Sequence, residues 1–281
     1  MTQISKHNRG VLYVCVSAIA FSSAGIFTKS VDAVAWDVIF WRGLSGAIFT
    51  LLFLAFRAGF ADELRRFDKA AMLAAVLMAS GTAAFIPAFK LTSVANVSLI
   101  WATAPFVTAV LAWLFIKEAP SFRVTLCSFL ALIGVAITVG SSGAASDRLG
   151  DILAFWMTLM MAATMVLYRA RPDTPTKLPA ALASVILLPF ALFFSDPTQV
   201  SVPEIWVLVS FGAVFAIASV LLTEGARLIP SATAALVSAL ETPLAPFWAL
   251  LILSEWPPVT TVLGGALIMI AVLWSQKRPR L

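Results

Sequence analysis

The chain has 281 residues, of which 61% are hydrophobic and 12% are charged, and its formal net charge is +5 at pH 7. Soluble domains carry about 25% charged residues. The core of a soluble protein of this size cannot bury so large a share of hydrophobic residues. The composition therefore excludes an ordinary soluble domain. The basic residues form no stripe but fall in short connectors between apolar runs, which argues against a nucleic-acid-binding surface and is typical of a membrane protein.

Apolar runs of helical length recur along the whole chain. Ten transmembrane helices are predicted, and most are long enough to cross a hydrocarbon core of about 30 Å at about 1.5 Å per residue. The first run follows a short polar segment and lacks a small-residue cleavage site, so it is predicted to be a retained helix. The predicted positions are 11–30, 35–56, 70–89, 95–116, 121–140, 150–170, 178–195, 204–226, 231–253 and 258–275.

Lysine and arginine divide unequally between the connectors of this arrangement. With a cytoplasmic N-terminus, fifteen of them lie on the cytoplasmic side and three on the other, and Arg42 lies inside a helix. Cytoplasmic connectors of membrane proteins are enriched in these residues. The division predicts a multi-pass protein of the bacterial inner (cytoplasmic) membrane with both termini in the cytoplasm. It also favours the count of ten, because a miscounted helix would scramble it.

The regions around the fourth and ninth predicted helices resemble each other. Residues 90–100 align with residues 227–237 at an offset of 137, and the corners Glu118-Ala-Pro and Glu255-Trp-Pro recur at the same offset. Because each half would contain five helices, an odd number, the second half would enter the membrane upside down. The sequence therefore predicts an all-α membrane protein built from two inverted five-helix repeats, an architecture that suits alternating access.

These features resemble the EamA repeat of the drug/metabolite transporter (DMT) superfamily. In each half a helix rich in small residues contains a proline, Pro105 or Pro243, and the Glu-containing corner follows it; Arg42 also matches a common family position. The resemblance implies two repeats, residues 11–141 and 150–275, around a central cavity. It also implies a secondary transporter that exports amino acids, aromatic and other neutral ones, or related small metabolites from the cytoplasm by alternating access.

Glu241 is the sharpest candidate for a substrate-binding residue, because it lies midway along the ninth predicted helix. A charge at the bilayer centre costs about 2.5–3.5 kcal/mol, so this carboxylate must face the bundle interior or water, or stay protonated. It is expected to bind a substrate ammonium or to titrate with a coupling proton. The alternative is a structural role, in which it satisfies backbone groups that Pro243 and Pro246 leave free.

Three larger side chains are further candidates. Arg42 could hold a substrate carboxylate through paired hydrogen bonds, although a structural role, reaching the interface or clamping helix ends, is the favoured interpretation. Trp101 and Trp156 are predicted to stack on a flat or apolar substrate, and aromatic packing between helices explains them equally well. Trp101 is the better candidate because it shares its helix with several small polar residues.

Small polar residues inside apolar helices complete the predicted substrate-binding set. Most residues of this kind serve close packing between helices, and those that face the cavity would bind a zwitterion. Helices one, three, four, six, eight and nine are expected to line the cavity. The small polar candidates are Ser22, Ser80, Thr82, Asn96, Ser98, Thr103 and Ser238.

The sequence contains no motif that indicates an enzyme. The only histidine, His7, lies in the N-terminal tail, so the segment Gly140-Ser-Ser-Gly143 lacks the base that a serine protease needs. No phosphate-binding, dinucleotide-binding or zinc motif is present. Cys15 and Cys127 lie in apolar runs without metal-ligand spacing. The chain is therefore predicted to be no enzyme and to use no cofactor, metal or nucleic acid.

The expected partners are a small-molecule substrate, the lipid bilayer and, as a candidate coupling ion, the proton; a monomer is expected. Three alternatives stay open. A multidrug cation exporter is disfavoured, because small relatives of that kind rely on a glutamate in the first helix and this first helix has no acid. A non-transporting scaffold would have no wet cavity. A lipid-carrier flippase would need basic residues at headgroup depth inside the helices.

Overall fold

The structure, a computed structural model, describes residues 6–56, 59–91, 94–139, 148–238, 240–253 and 259–275. The predicted corner at Glu255 and the basic C-terminal end lie outside these residues. In the described part all regular structure is helical, with fourteen α-helices, a short 3-10 turn and no strand, which confirms the all-α class. The helices are α1 (Lys6–Ser22), α2 (Ala24–Lys29), α3 (Ala35–Phe56), α4 (Phe60–Arg65), α5 (Lys69–Leu91), α6 (Val94–Ala102), α7 (Ala104–Ile116), α8 (Phe122–Val139), α9 (Arg148–Ala170), α10 (Lys177–Phe194), α11 (Val202–Leu228), α12 (Ser231–Ser238), α13 (Glu241–Leu253) and α14 (Val259–Ser275).

Several of these helices fit a membrane by length and composition. Six spans in the described residues are long and apolar enough to cross one: α1 with α2, then α3, α5, α9, α10 and α11; α7 is apolar but shorter. Large apolar side chains such as Phe122 and Phe193 are exposed on the outer surface, where lipid replaces water as the solvent. The chain is therefore a multi-pass membrane protein.

Three of the predicted transmembrane helices are each divided into two shorter helices: the first at Ser23, between α1 and α2, and two others that correspond in the sequence repeat. The fourth is interrupted at Thr103, between α6 and α7, and the ninth at Leu240, between α12 and α13. At each of these two interruptions a backbone N–H bonds to the carbonyl three residues earlier, as in a 3-10 turn, and not four residues earlier as in an α-helix. Thr103 N–H donates to Ile100 O at 3.0 Å, and Leu240 N–H donates to Val237 O at 3.1 Å. The two interruptions are 137 residues apart, which is the offset of the sequence repeat.

Helix α11 is held closely against α1 and α3. A Cβ atom at Gly212 would lie 2.6 Å from the carbonyl oxygen of Arg42 and would overlap the Ser45 hydroxyl, and a Cβ atom at Gly225 would lie 2.9 Å from the carbonyl oxygen of Gly10. Membrane helices commonly use small residues for such contacts, because they let the backbones approach. The glycines therefore fix where α11 crosses its two neighbours, one of which carries Arg42.

Candidate functional site

A cavity of about 70 Å³ lies in the interior of the bundle. One water molecule needs about 10–15 Å³ of such space, so the cavity has room for several. Helices α1, α5 and α6 contribute walls from the first half of the chain, and α9, α10, α11 and α13 contribute walls from the second half. Its lining residues are Phe21, Met78, Thr82, Phe85, Trp101, Met157, Met161, Thr164, Met165, Tyr168, Ala180, Ala183, Ser184, Phe215, Ser219, Leu222, Thr223, Ala226 and Glu241.

Methionines form one wall of the cavity. Met157, Met161 and Met165 recur every four residues along α9, so they lie on one face of that helix, and Met78 of α5 joins them. Methionine is flexible and polarisable, and it adapts to apolar ligands of different shapes. This wall suits an apolar or aromatic group without dictating its outline.

Glu241 is the one acidic side chain, and no basic side chain is found, among the described residues that line the cavity. It is the first residue of α13, directly after the interruption of the ninth predicted helix. Unpaired backbone N–H groups at a helix N-terminus favour a negative charge, so the interruption helps the fold to hold a carboxylate there. Across the described chain Glu241 belongs to none of the ion pairs.

Trp101 approaches Glu241 from the other interrupted helix. Its side chain is 7% exposed and lines the cavity. Its indole N–H is buried and has no hydrogen-bond partner among the described residues. Beside them, Thr242 Oγ1 donates to the carbonyl oxygen of Ser98 at 3.3 Å, which joins α13 to α6. The Glu241 carboxylate, which forms no ion pair with a described residue, is therefore the acceptor that this part of the cavity offers to a ligand.

The cavity contains three of the residues that the sequence indicated. These are Glu241, Trp101 and Thr82. The structure also adds helix α10 to the walls, a helix that was not expected there. The methionine wall was missed because methionines in an apolar helix look like ordinary packing residues. The spacing of four residues along α9 was the signal that could have identified it.

Three other predicted site residues make hydrogen bonds elsewhere. Trp156 Nε1 donates to Ser80 Oγ at 2.8 Å, and Trp156 is 45% exposed. Ser22 accepts a hydrogen bond from Trp248 Nε1 at 2.7 Å. Ser80, Trp156 and Ser22 are not among the residues that line the cavity. Their polar groups instead connect pairs of helices.

The remaining small polar candidates also lie outside the described cavity lining. The hydroxyls of Thr103 and Ser238 donate to backbone carbonyls one turn earlier in the chain, at 2.7 Å and 2.9 Å. Ser98 contributes its carbonyl to the contact with Thr242. The side chain of Asn96 belongs to the part of the chain that the structure does not describe.

Arg42 is buried, with 1% of its surface exposed, and it does not line the cavity. Its guanidinium carbon lies 4.1 Å from the ring centre of Phe215 and 5.4 Å from that of Phe211. Nε and Nη1 have no hydrogen-bond partner, and no described acidic side chain forms an ion pair with them.

This placement matches neither of the structural roles that the sequence favoured for Arg42. The side chain does not reach an interface, and its Nε and Nη1 clamp no helix end by hydrogen bonds. Desolvated cation–π contacts contribute about 2 kcal/mol each, whereas burying an ion costs several kcal/mol. The two rings therefore offset only part of the cost of burying the guanidinium.

A cluster of charged residues lies next to the Tyr168 end of the cavity. Lys177 Nζ lies 2.8 Å from Glu224 Oε1 and 3.4 Å from Glu63 Oε1. The guanidinium carbon of Arg227 lies 6.0 Å from the ring centre of Tyr168, and Tyr168 lines the cavity. The cluster connects α4, the start of α10 and the end of α11.

The fold and the cavity define a helical membrane protein with an internal cavity that is lined by residues of both halves of the chain. Comparison with known proteins then identifies the family: the model of the EamA-like transporter family matches residues 8–140 and again residues 148–275. The chain belongs to the EamA-like transporter family.

Individual proteins agree with this assignment. Over 212 residues, 70% of this chain and 67% of the relative, the chain is 27% identical to the "Uncharacterized transporter YyaM" of Bacillus subtilis (strain 168). One crystal structure of a protein with 15% sequence identity superposes with a TM-score of 0.83, covering 97% of this chain and 99% of that chain. At this level of identity the superposition shows a shared fold.

Proposed function

We propose that this transporter exports amino acids, aromatic and other neutral ones, or related small metabolites from a bacterial cytoplasm by alternating access. The observation that carries the proposal is the internal cavity, in which one carboxylate lies among apolar and aromatic walls. In this proposal Glu241 binds the ammonium group of the substrate. Trp101 and the methionine wall contact its side chain. The resemblance of the sequence to the amino-acid exporter YddG motivates the substrate class.

Ten transmembrane helices in two inverted repeats, residues 11–141 and 150–275, are part of the proposal. The double match of the family model supports it, as do the corresponding interruptions at Thr103 and Leu240. Contacts between helices support it too: α1 packs on α11 as its counterpart α9 packs on α5. In addition, α3 packs on α10 and α8 packs on α14, and each of these pairs joins a helix to its own counterpart in the other half. Such a symmetry would let one central site open to either side.

The orientation in the membrane follows from the fifteen-to-three division of basic residues. Both termini would face the cytoplasm of a bacterial inner membrane, and the charged cluster beside Tyr168 would lie at the cytoplasmic end of the cavity. Export would then begin by separating Lys177 from Glu63 and Glu224. Protons or the substrate gradient would supply the driving force.

A second candidate function is the export of apolar organic cations. One observation favours it: the described cavity lining contains a carboxylate but no basic side chain to pair with a substrate carboxylate. Flexible methionine surfaces also accept ligands of varied shape. An ammonium with an apolar body would satisfy Glu241 as well as an amino acid does.

Uptake into proteoliposomes decides between the two functions. The purified chain would be tested with radiolabelled L-phenylalanine, L-leucine and tetraphenylphosphonium at two pH gradients. We expect saturable transport of the amino acids. Transport of the cation alone would establish the second candidate instead, and saturable transport of none of the three would overturn the proposal.

Replacement of Glu241 tests the site itself. Glu241→Gln keeps the shape but removes the charge, and we expect the Kd for L-phenylalanine to rise on the order of 100-fold, because a buried charge loses its partner. The matched control is Glu118→Gln, since Glu118 pairs with Arg169 at 3.2 Å outside the cavity. Unchanged transport and pH dependence in Glu241→Gln would contradict the assigned role.

A further inference from the structure

We propose that Arg42 is the carboxylate-binding subsite of the substrate site, and that the ring of Phe215 separates it from the cavity. The inference rests on the proposed transport function and narrows the substrate class. The favoured substrate is an α-amino acid whose ammonium group meets Glu241 and whose carboxylate meets Arg42, with its apolar or aromatic side chain against Trp101 and the methionine wall.

The geometry places one aromatic layer between the guanidinium and the cavity. Phe215 lines the cavity, and its ring centre lies 4.1 Å from the guanidinium carbon of Arg42. Phe21, which also lines the cavity, meets Phe215 edge to face at 5.4 Å. Rotation of the Phe215 side chain alone would therefore bring the guanidinium into contact with a bound ligand.

The guanidinium of Arg42 lacks a partner of opposite charge in the part of the protein that the structure describes. The guanidinium of Arg42 is buried with two nitrogen atoms that lack a hydrogen-bond partner, and none of the described acidic residues pairs with it. Asp37, on the same helix, is also buried, its Oδ1 has no hydrogen-bond partner among the described residues, and it forms no ion pair with Arg42. A planar guanidinium in a low-dielectric site binds a carboxylate strongly, often through two parallel hydrogen bonds.

The backbone of Arg42 is held in place from the opposite helix. A Cβ atom at Gly212 would lie only 2.6 Å from the carbonyl oxygen of Arg42, so the backbones of α3 and α11 are in contact at this point. On α11, Phe211 directly precedes Gly212 and Phe215 follows it by three residues. The subsite therefore has a fixed cation, and the ring of Phe215 is the part that moves.

A matched pair of ligands tests the subsite. L-phenylalanine and L-phenylalanine amide share an ammonium and an aromatic ring, but only the first has a carboxylate. Binding is measured by calorimetry on the purified full chain. We expect the wild type to bind the acid about 10- to 100-fold more tightly than the amide, since hydrogen bonds between charged groups are the strong ones. Arg42→Gln should abolish that difference by weakening binding of the acid alone.

The control variant is Arg66→Gln, because Arg66 is an exposed arginine that pairs with Asp62. It should keep the wild-type preference for the acid. If Arg42→Gln also keeps that preference while transport continues, the subsite is overturned and the transport function stands. If the wild type neither binds nor transports either ligand, the proposed function fails, and the subsite fails with it.

Chemical labelling tests whether the ring of Phe215 shields Arg42 from the cavity. Because Arg42 itself is not replaced, this experiment tests the subsite even if Arg42→Gln does not fold. The reaction of Arg42 with phenylglyoxal is followed by peptide mass spectrometry. We expect Phe215→Ala to accelerate labelling, and L-phenylalanine, but not its amide, to protect. Phe211→Ala is the matched control, since Phe211 lies 5.4 Å from the same guanidinium and does not line the cavity. Equal acceleration in both variants, or no protection by the acid, would overturn the proposal.

Discussion

The interruption of the fourth predicted helix and that of the ninth correspond in position but differ in chemistry. Before the first, Trp101 brings an aromatic ring to the cavity, and after it Ala104 is buried among apolar residues. After the second, Glu241 brings a carboxylate to the cavity. Ala104 and Glu241 are 137 residues apart, so they occupy equivalent positions in the sequence repeat. Similar backbone geometry thus supports an asymmetric site.

The largest expected effect comes from forcing the two interruptions to be alike. Ala104 is 1% exposed and packs in a cluster with Phe89, Trp101 and Met157. Ala104→Glu would place an unpaired carboxylate in that cluster, and we expect it to lower the free energy of unfolding by about 3–5 kcal/mol. Thermal unfolding in detergent measures the loss. Ala104→Gln, which adds the same volume without the charge, should lose clearly less; equal losses would point to volume alone.

A smaller effect is expected from the aromatic side of the comparison. Trp101→Leu keeps an apolar side chain but removes the ring, and we expect the Kd for L-phenylalanine to rise roughly three- to tenfold, the usual contribution of an aromatic pair. Binding of L-leucine should change less, because it has no ring to stack. Trp113→Leu is the control, since Trp113 is exposed on the outer surface. Equal changes for both amino acids would argue against stacking on Trp101.

The smallest effect concerns the hydrogen bond that joins the two interruptions. Thr242→Val removes the donor to the Ser98 carbonyl with little change of shape, and we expect a loss of about 0.6 kcal/mol in unfolding free energy, a typical value between membrane helices. Thr103→Val is the matched variant, because its hydroxyl bonds only within its own segment, to Ile100. A larger loss in Thr103→Val would show that the bond between the helices contributes little.

Much of the fold could be predicted from hydropathy, because lipid requires long apolar helices. The predicted helix 35–56 coincides with α3, and the helix predicted at 150–170 lies within α9. The interruption at Thr103 was not predicted, because the run stays apolar across it; Pro105 was the local signal, since proline suits the first turn of a new helix. Hydropathy measures the polarity of a segment and not the continuity of its hydrogen bonds.

The cavity residues were predicted most sharply where one residue contradicts its surroundings. Glu241 was identified because a carboxylate inside an apolar helix is costly and needs a reason. Ser80 and Trp156 looked like cavity residues, yet they bond to each other away from it, because helical rotation decides which face a residue occupies. The position of Arg42 behind Phe215 depends on how α3 and α11 cross, which one sequence does not encode locally.

The glycine contacts of α11 have a mechanical consequence. Because α11 touches α3 at Gly212 and α1 at Gly225, these three helices cannot slide past one another without separating their backbones. They behave as one rigid body that combines two helices from the first half of the chain with one from the second. Any movement that opened the cavity would therefore separate this body from the other cavity walls, such as the methionine-bearing α9, and would not slide α11 along α1 or α3.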